Sequence, residues 1–215
     1  MKKVFLAIAA VVLSATTAMA QSEAGSVYIK PMVGGTLTTL TKLDDTKMKL
    51  GFVGGAEFGY QISDEFAVTA GVLASMQGAK SKKLTFTDNG ASVTGDGKYN
   101  MTYLNIPIMA NYYVAPGLAI KAGIQPGFLL KNKLTATYRS GGVEVDFERS
   151  STDGMAKFDF SIPLGISYEI SDFVIDARYN LGLTSIYKKE TSDFFGVKPK
   201  NSVIMLTVGY KIPLN

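Results

Sequence analysis

Apolar residues alternate with polar or small residues over most of the chain after residue 25. The clearest stretch is 158–170, where every even position is apolar and the odd positions hold Asp, Ser, Pro, Gly, Ser and Glu in turn. A period of two predicts a β-strand with one apolar face. The pattern recurs in seven other stretches, so the sequence predicts eight strands. The other seven lie roughly at 26–38, 50–62, 66–76, 104–112, 118–130, 173–183 and 204–212.

The predicted strands are long, and the segments that connect them are short at one end and long at the other. The eight stretches run for 9 to 13 residues, against about 5–6 for a strand in a soluble protein and about 9–11 for a strand that spans a bilayer. Short connections lie at 63–65, 115–117 and 171–172, and long ones roughly at 39–48, 80–98, 132–156 and 187–201. This arrangement is typical of outer-membrane β-barrels.

The face opposite the apolar one distinguishes a membrane barrel from a soluble barrel. A soluble barrel needs an exterior rich in Lys, Glu and Thr, but this second face is rich in Gly, Asn, Gln and Ser, with isolated charges of both signs. Such residues suit the narrow interior of eight strands. Near the short turns the apolar face carries aromatic residues, as in an interfacial girdle: Tyr60, Phe66, Tyr112, Tyr168, Phe173 and Tyr210. The sequence therefore predicts an all-β fold, an eight-stranded antiparallel up-and-down transmembrane β-barrel.

The first twenty residues have the features of a secretory signal peptide. Lys2 and Lys3 give a positive start, residues 4–13 are apolar, and Ala18 and Ala20 place small residues before a cleavage site at Gln21. The apolar core is too short for a stable membrane-spanning helix. We therefore expect residues 1–20 to be removed and residues 21–215 to form one barrel domain in the outer membrane of a Gram-negative cell.

The composition excludes several kinds of chemistry. The 215-residue chain has no His and no Cys, which removes imidazole and thiol catalysis, disulfides and zinc sites of the Cys type. Asp159 and Asp176 remain as an acid–base pair, although two carboxylates paired to Lys or Arg are the simpler interpretation. Turns at 88–90 and 96–97 lack the ligand spacing of a calcium loop. We predict no catalytic residue, metal ligand or cofactor, and the net charge of +4 comes without the basic and aromatic clusters of a nucleic-acid surface.

Strand alternation places nine charged residues on the predicted inner face. They are Lys30, Glu57, Lys121, Lys157, Asp159, Glu169, Asp176, Arg178 and Lys211. Unpaired charges inside a barrel are costly, so we expect an ion-pair network. One interpretation is a structural plug of salt bridges, since eight strands leave little room after side chains. The other interpretation is a gated or selective path for ions.

Two of the long loops continue to alternate beyond the predicted membrane strands. Residues 134–139 and 143–148 flank a turn at 140–142, and residues 83–87 and 91–94 flank a turn at 88–90. Both patterns predict β-hairpins. Predicted strands three to six then protrude as a ribbon whose edge can pair with an external chain, or they form solvated hairpins without a partner.

Four stretches of the chain carry motifs that point to a known family. They are residues 50–80, 102–130, 158–187 and 201–212, and they carry a Leu-X-Ile-Pro step at 104–107, the pair Arg178-Tyr179 and the step Gly182-Leu183. These stretches resemble the outer-membrane protein β-barrel domain family, in particular its PorT-like small porin-family members. Asn105 stands where the family often has Glu, and the chain lacks the terminal aromatic residue of many outer-membrane barrels. The resemblance extends over about residues 26–213. It implies the fold and the location, and no shared catalytic residues.

Together these features predict a non-enzymatic integral outer-membrane protein with a structural or surface-interaction role. We expect it to contact outer-membrane lipid, and an extracellular protein or polysaccharide through the loops 80–98 and 132–156. A narrow porin-like pore is the alternative, and a small-barrel membrane enzyme is a third class. Neutralising Arg178 or Asp176 distinguishes the plug from the pore, because it lowers stability in the first case and raises conductance in the second.

Overall fold

The computed structural model describes residues 23–43, 46–88, 91–141 and 143–214. The predicted signal peptide at residues 1–20 lies outside the described residues, as do parts of the predicted turns at 88–90 and 140–142. Among the described residues, no helix is both long enough and apolar enough to cross a membrane.

Antiparallel β-strands make up most of the described chain. The strands are β1 (Val27–Thr41), β2 (Thr46–Lys47), β3 (Lys49–Ser63), β4 (Phe66–Ser81), β5 (Leu84–Asp88), β6 (Ala91–Asn105), β7 (Ile108–Ala115), β8 (Leu118–Ser140), β9 (Val143–Ser150), β10 (Phe158–Ile170), β11 (Phe173–Gly182), β12 (Lys200–Tyr210) and β13 (Ile212–Pro213). A short helix, α1 (Lys189–Phe195), precedes β12.

The long strands close into a ring. β1 pairs with β3 on one side and with β12 on the other, so the first and last wall strands meet. From β1 the order runs through β3, β4, the pair β6 and β7, β8, β10, β11 and β12. β6 and β7 form one wall strand that is interrupted at Ile106 and Pro107, because proline has no amide hydrogen for the ladder. The ring confirms the predicted eight-stranded antiparallel fold.

The two ends of the ring differ as the connection lengths predict. The turns at 64–65, 116–117 and 171–172 lie at what we call the short-turn end. The longer connections, with β5, β9 and α1, lie at the opposite end, the long-loop end. Phe173 and Tyr210, two of the predicted girdle residues, are cross-strand partners beside a short turn, and their ring centroids are 5.1 Å apart.

The alternation of the sequence becomes an apolar outer face and a polar inner face. On β10, Leu164 and Ile166 are 49% and 56% exposed, whereas Ser161, Ser167 and Glu169 are buried. Apolar side chains on the outside are stable in hydrocarbon, where a closed barrel also satisfies every backbone group along its walls.

The polarity of the two faces reverses at a β-bulge in β8. Thr102 of β6 pairs with Lys131, but the next residue, Tyr103, pairs with Leu129, so Leu130 is an extra residue in β8. One extra residue turns every later side chain to the opposite face. The even-numbered apolar positions of β8 therefore face outward up to Leu130 and inward from position 132 onward.

Beyond this bulge, β6 and β8 continue as the centre of a four-stranded sheet, which we call the outer sheet. β5 pairs with β6 along one edge, and β9 pairs with β8 along the other. Both hairpins predicted from the alternation of the long loops are therefore present. The bulge gives this sheet the opposite polarity to the wall below it, with apolar residues on its inner face.

An apolar cluster lies inside the ring at the long-loop end. Its buried members are Leu40, Ala79, Met101, Tyr103, Leu129, Met155 and Ile186, with Leu43 and Tyr187 packed against them. Met155 and Tyr187 also form an isolated β-bridge. The connections after β9 and after β11 are therefore packed into the mouth of the ring.

Candidate functional site

Five buried charged residues from four wall strands meet inside the ring, and we call them the central cluster: Lys30, Glu57, Lys121, Asp176 and Arg178. Lys30 Nζ lies 2.8 Å from Glu57 Oε2. Arg178 joins the two carboxylates, with Nη1 2.6 Å from Glu57 Oε1 and Nε 2.7 Å from Asp176 Oδ1. The Lys121 ammonium donates to the other oxygen of Asp176. Each of the five is at most 4% exposed.

Strand register brings these charges to one level, and glycines give them room. Lys30 and Glu57 are cross-strand partners on β1 and β3. Lys121 and Arg178 both pair with Gly165 of β10, one from each side. A Cβ atom at Gly165 would lie 3.1 Å from Arg178 Cγ, and one at Gly71 would lie 2.6 Å from Glu57 Cγ. The small residues of the inner face therefore make space for the long charged ones.

The central cluster holds three cations and two carboxylates. Ion pairs of this kind join β1, β3, β8 and β11 across the inside of the ring, with Lys30 Nζ also 4.0 Å from Asp176 Oδ2. Toward the long-loop end lies a small space that is too narrow for a water-sized sphere. Its lining is Gln77, Gln125, Asp159, Ser161, Asn180, Asn201 and Val203.

A second buried group lies nearer the short-turn end. Lys211 Nζ lies 2.7 Å from Glu169 Oε2, and the Tyr113 hydroxyl donates to Glu169 Oε1 over 2.6 Å. The same ammonium lies 4.4 Å from the ring centroid of Tyr28, a favourable position for a cation over an aromatic face. Glu169 and Lys211, both predicted for the inner face, are therefore paired with each other and not with the central cluster.

The two remaining predicted residues lie elsewhere. Asp159 is buried, but it accepts hydrogen bonds from Thr184 Oγ1 at 2.7 Å and Asn201 Nδ2 at 3.1 Å in place of an ion pair with the central cluster. Lys157 is exposed and lies just before β10, so it is not one of the buried charges inside the ring. β10 begins only at Phe158, and the alternation used to place Lys157 does not extend into the irregular segment before it.

Sequence reasoning missed several inward residues. Lys49 is buried, and its Nζ donates to the Gln77 carbonyl at 3.1 Å. The predicted strand began at Leu50, and extending its alternation by one residue would have turned Lys49 inward. Tyr113 also faces inward. The pattern did not single it out, because the adjacent Tyr112 belongs to the outward-facing aromatic residues. The amides on the inner face fill the space between the charged groups: Gln61, Gln77, Asn105, Asn111, Gln125, Asn180 and Asn201.

The outer sheet has one charged face and one apolar face. On the charged face, Arg139 pairs with Glu144 through Nε at 2.9 Å and also contacts Asp96. The hydrogen bonds that the Arg139 guanidinium donates to Glu144 and Asp96 raise its pKa, so it stays cationic at every physiological pH. Thr137 donates to Asp146 over 2.6 Å on the same face.

The apolar face of the outer sheet is open to solvent. Tyr138 and Val145 are cross-strand partners, and Tyr138 packs edge to face on Phe147 with centroids 5.9 Å apart. Tyr138 is 48% exposed, Phe147 60% and Val143 63%. β9 pairs along one side only within the described chain, so its other edge presents backbone groups. An amphipathic edge strand of this kind can accept a further strand.

Solved structures of several proteins are similar to this chain. No curated protein matches the chain. The matching solved structures include the attachment invasion locus protein Ail of Yersinia pestis, at 16% identity and TM-score 0.44, covering 88% of this chain and 99% of that chain. Neisserial surface protein A matches at 12% identity and TM-score 0.46, covering 86% and 97%. OprG from Pseudomonas aeruginosa matches at 15% identity and TM-score 0.41, covering 89% and 98%.

The family of the chain is identified by a match to its sequence. A family model described as "outer membrane protein beta-barrel domain" matches residues 19–188, most of the chain. This match agrees with the closed antiparallel ring, its apolar outer face and its polar inner face. The chain therefore belongs to the outer membrane protein beta-barrel domain family, and it is an integral protein of the cell outer membrane.

Proposed function

We propose that the protein is a closed, non-enzymatic barrel that holds the outer sheet above the membrane as a contact surface for an extracellular protein. The long loops of outer-membrane barrels are extracellular and their short turns are periplasmic. In this orientation the outer sheet projects from the cell surface. The observation that carries the proposal is the solvent-exposed, amphipathic edge strand β9.

The interior of the ring favours a structural plug of side chains over a path for ions. The central cluster spans the ring with ion pairs, the amides fill the levels beside it, and the apolar cluster lies in the long-loop mouth. An ion path would need continuous space between these groups, and a barrel of eight strands has little interior beyond its side chains. The polar lining keeps a narrow pore as the alternative function, and conductance decides between the two.

The chemistry of β9 indicates the kind of protein segment that would bind. One face of β9 carries Glu144, Asp146 and Glu148, and the other carries Val143, Val145 and Phe147. A partner strand that adds to this edge would gain main-chain hydrogen bonds. It would match both faces if it alternated basic and apolar residues, since opposite charges in cross-strand positions are favourable.

A labelled peptide tests this proposal directly. The probe is a labelled peptide with the sequence of residues 132–140. In the barrel this basic amphipathic segment pairs with one edge of β9, and the peptide would add to the opposite edge. We expect fluorescence anisotropy to show binding to the refolded barrel in nanodiscs. The triple change Glu144→Lys, Asp146→Lys and Glu148→Lys should weaken binding at least about tenfold, because it places like charges opposite one another.

A matched variant controls for net charge. The triple change Asp153→Lys, Glu190→Lys and Asp193→Lys alters the same number of charges in neighbouring outer segments and should leave peptide binding unchanged. Equal loss in both triple variants, or no binding of the peptide by the unmodified barrel, would contradict the strand-addition proposal. Binding of a neutral polysaccharide such as dextran in place of the peptide would assign the surface to polysaccharide.

A further inference from the structure

A groove lies on the outer, membrane-facing side of the ring, away from β9. It has a volume of about 560 Å³ and crosses β1, β3, β4 and the edge of β6. Val33, Phe52 and Met76 form its walls, and these side chains are 68%, 70% and 48% exposed. Small residues such as Gly54 and Ala74 form its floor. The lining is almost wholly apolar, as an acyl chain would require.

The groove lies beside a gap between two wall strands. The β3–β4 ladder ends at the pair Val53 and Ser75 on the side toward the long-loop end. Beyond it, side chains from neighbouring strands bond the carbonyls of β4. Thr36 Oγ1 donates to Met76 O at 2.8 Å, Lys49 Nζ to Gln77 O at 3.1 Å, and Thr38 Oγ1 to Gly78 O at 2.7 Å. These side chains satisfy three carbonyls that would otherwise lack a partner in hydrocarbon, and the outer surface is indented at this place.

Three exposed lysines form a row above the groove. Lys47 of β2 is the cross-strand partner of Lys80 on β4, and Lys80 is in turn the partner of Lys98 on β6. Like charges in directly opposite positions are destabilising unless something neutralises them. Within the described part of the chain, none of the salt bridges involves these three ammonium groups.

The spacing of the lysine row and the groove matches the anatomy of a lipid. Lys80 and Lys98 each lie four residues beyond Met76 and Thr102, which line the groove. Four residues of an extended strand span about 13 Å, so the row lies toward the long-loop end, where lipid headgroups meet water. The long connections at 39–48, 80–98, 132–156 and 187–201 carry thirteen Lys and Arg against ten Asp and Glu, while the short turns at 63–65, 115–117 and 171–172 carry none against three.

We propose that the β3–β4 gap is a binding site for a phosphorylated lipid of the outer leaflet. One acyl chain lies in the groove between Phe52 and Met76, and the phosphate is held by Lys47, Lys80 and Lys98. An anion at this position removes the repulsion within the lysine row, which makes the juxtaposition of three like charges favourable. This site shares Lys98 with the outer sheet, but it does not depend on strand addition at β9.

Native mass spectrometry of the refolded barrel in a neutral detergent tests the site. The probes are phosphorylated lipid A and the same lipid A after enzymatic removal of its phosphates. We expect one phosphorylated lipid to bind in preference to the dephosphorylated form. The variant Lys47→Gln, Lys80→Gln and Lys98→Gln should weaken binding at least about tenfold, as expected for three cations that attract an anionic headgroup. The variant Lys157→Gln, Lys188→Gln and Lys189→Gln removes the same charge from other outer segments and should bind as the unmodified protein does.

A second pair of variants tests the groove itself. Ala74→Leu places a larger side chain in the groove, whereas Ala70→Leu makes the same change on the same outward face of β4, outside the groove. We expect only Ala74→Leu to weaken lipid binding, and heat-modifiable migration to show that both variants fold. Equal binding of the two lipid forms, equal loss in the two lysine variants, or equal behaviour of the two leucine variants would overturn the proposal. Complete displacement of the lipid by inorganic phosphate would also overturn it, since the site would then hold a free anion.

Discussion

Replacing Arg178 and replacing Asp176 in the central cluster should lower the free energy of unfolding by different amounts. Arg178 contacts both Glu57 and Asp176, and Asp176 also contacts Lys121. The cluster holds three cations and two carboxylates. The change Arg178→Met therefore leaves two charges of each sign, whereas Asp176→Asn leaves three cations facing one carboxylate.

The magnitude follows from burial and distance. Two unit charges 4 Å apart attract by roughly 4 kcal/mol at an effective dielectric constant of about 20. Desolvation offsets part of this attraction, and breaking a buried pair by removing one partner costs about 3–5 kcal/mol. We expect Arg178→Met to lower the free energy of unfolding by about 3 kcal/mol and Asp176→Asn by about 5 kcal/mol, since only the second change leaves excess buried positive charge.

Guanidinium titration of the barrel refolded into lipid vesicles measures both values, with heat-modifiable migration as a check of folding. Lys157→Gln is the control, because this exposed lysine should change the free energy of unfolding by less than about 0.5 kcal/mol. A larger loss for Arg178→Met than for Asp176→Asn would refute the charge-balance argument. Unchanged stability in both variants would refute the structural role of the cluster.

Four further predictions test other parts of the molecule. Tyr113→Phe removes the hydrogen bond to Glu169 and should lower the free energy of unfolding by about 1.5–3 kcal/mol in the same titration. Ile186→Ala should cost about 2–5 kcal/mol, because the side chain is buried in the apolar cluster at the long-loop mouth. Deletion of Leu130 removes the bulge and should turn Leu134 and Tyr138 outward, so hydrogen exchange should show loss of protection in the outer sheet while the wall strands stay protected. Mass spectrometry of the protein from the outer membrane should find Gln21 at its N-terminus, and retention of residues 1–20 would contradict the predicted signal peptide.

The wall strands could be predicted well from the sequence, because alternate side chains of a membrane strand face hydrocarbon and the interior of the barrel in turn. In hydrocarbon an outward polar residue is costly, so the alternation at 158–170 fixes which side of β10 faces the bilayer. Alternation also placed Lys30, Glu57, Lys121, Asp176 and Arg178 on the inner face. It failed at Lys157, which precedes the first residue of β10, and at Lys49, which the predicted strand excluded by one position.

The partners of each residue could not be predicted from the pattern. Which charges meet depends on the register between strands that are far apart in the chain, such as the shared pairing of Lys121 and Arg178 with Gly165. The bulge at Leu130 exists only as a mismatch between β6 and β8. The lysine row needs the pairing of β2 with β4 and of β4 with β6, and no property of a single strand reveals it.

Conductance of the refolded barrel in a planar lipid bilayer tests the central claim that side chains close the lumen. The account predicts a folded protein that gives no discrete current steps, because the central cluster and the surrounding amides fill the inside of the ring. Reproducible steps from the unmodified barrel, with a size that changes when Arg178 is replaced by Met, would contradict it and establish the lumen as a pore.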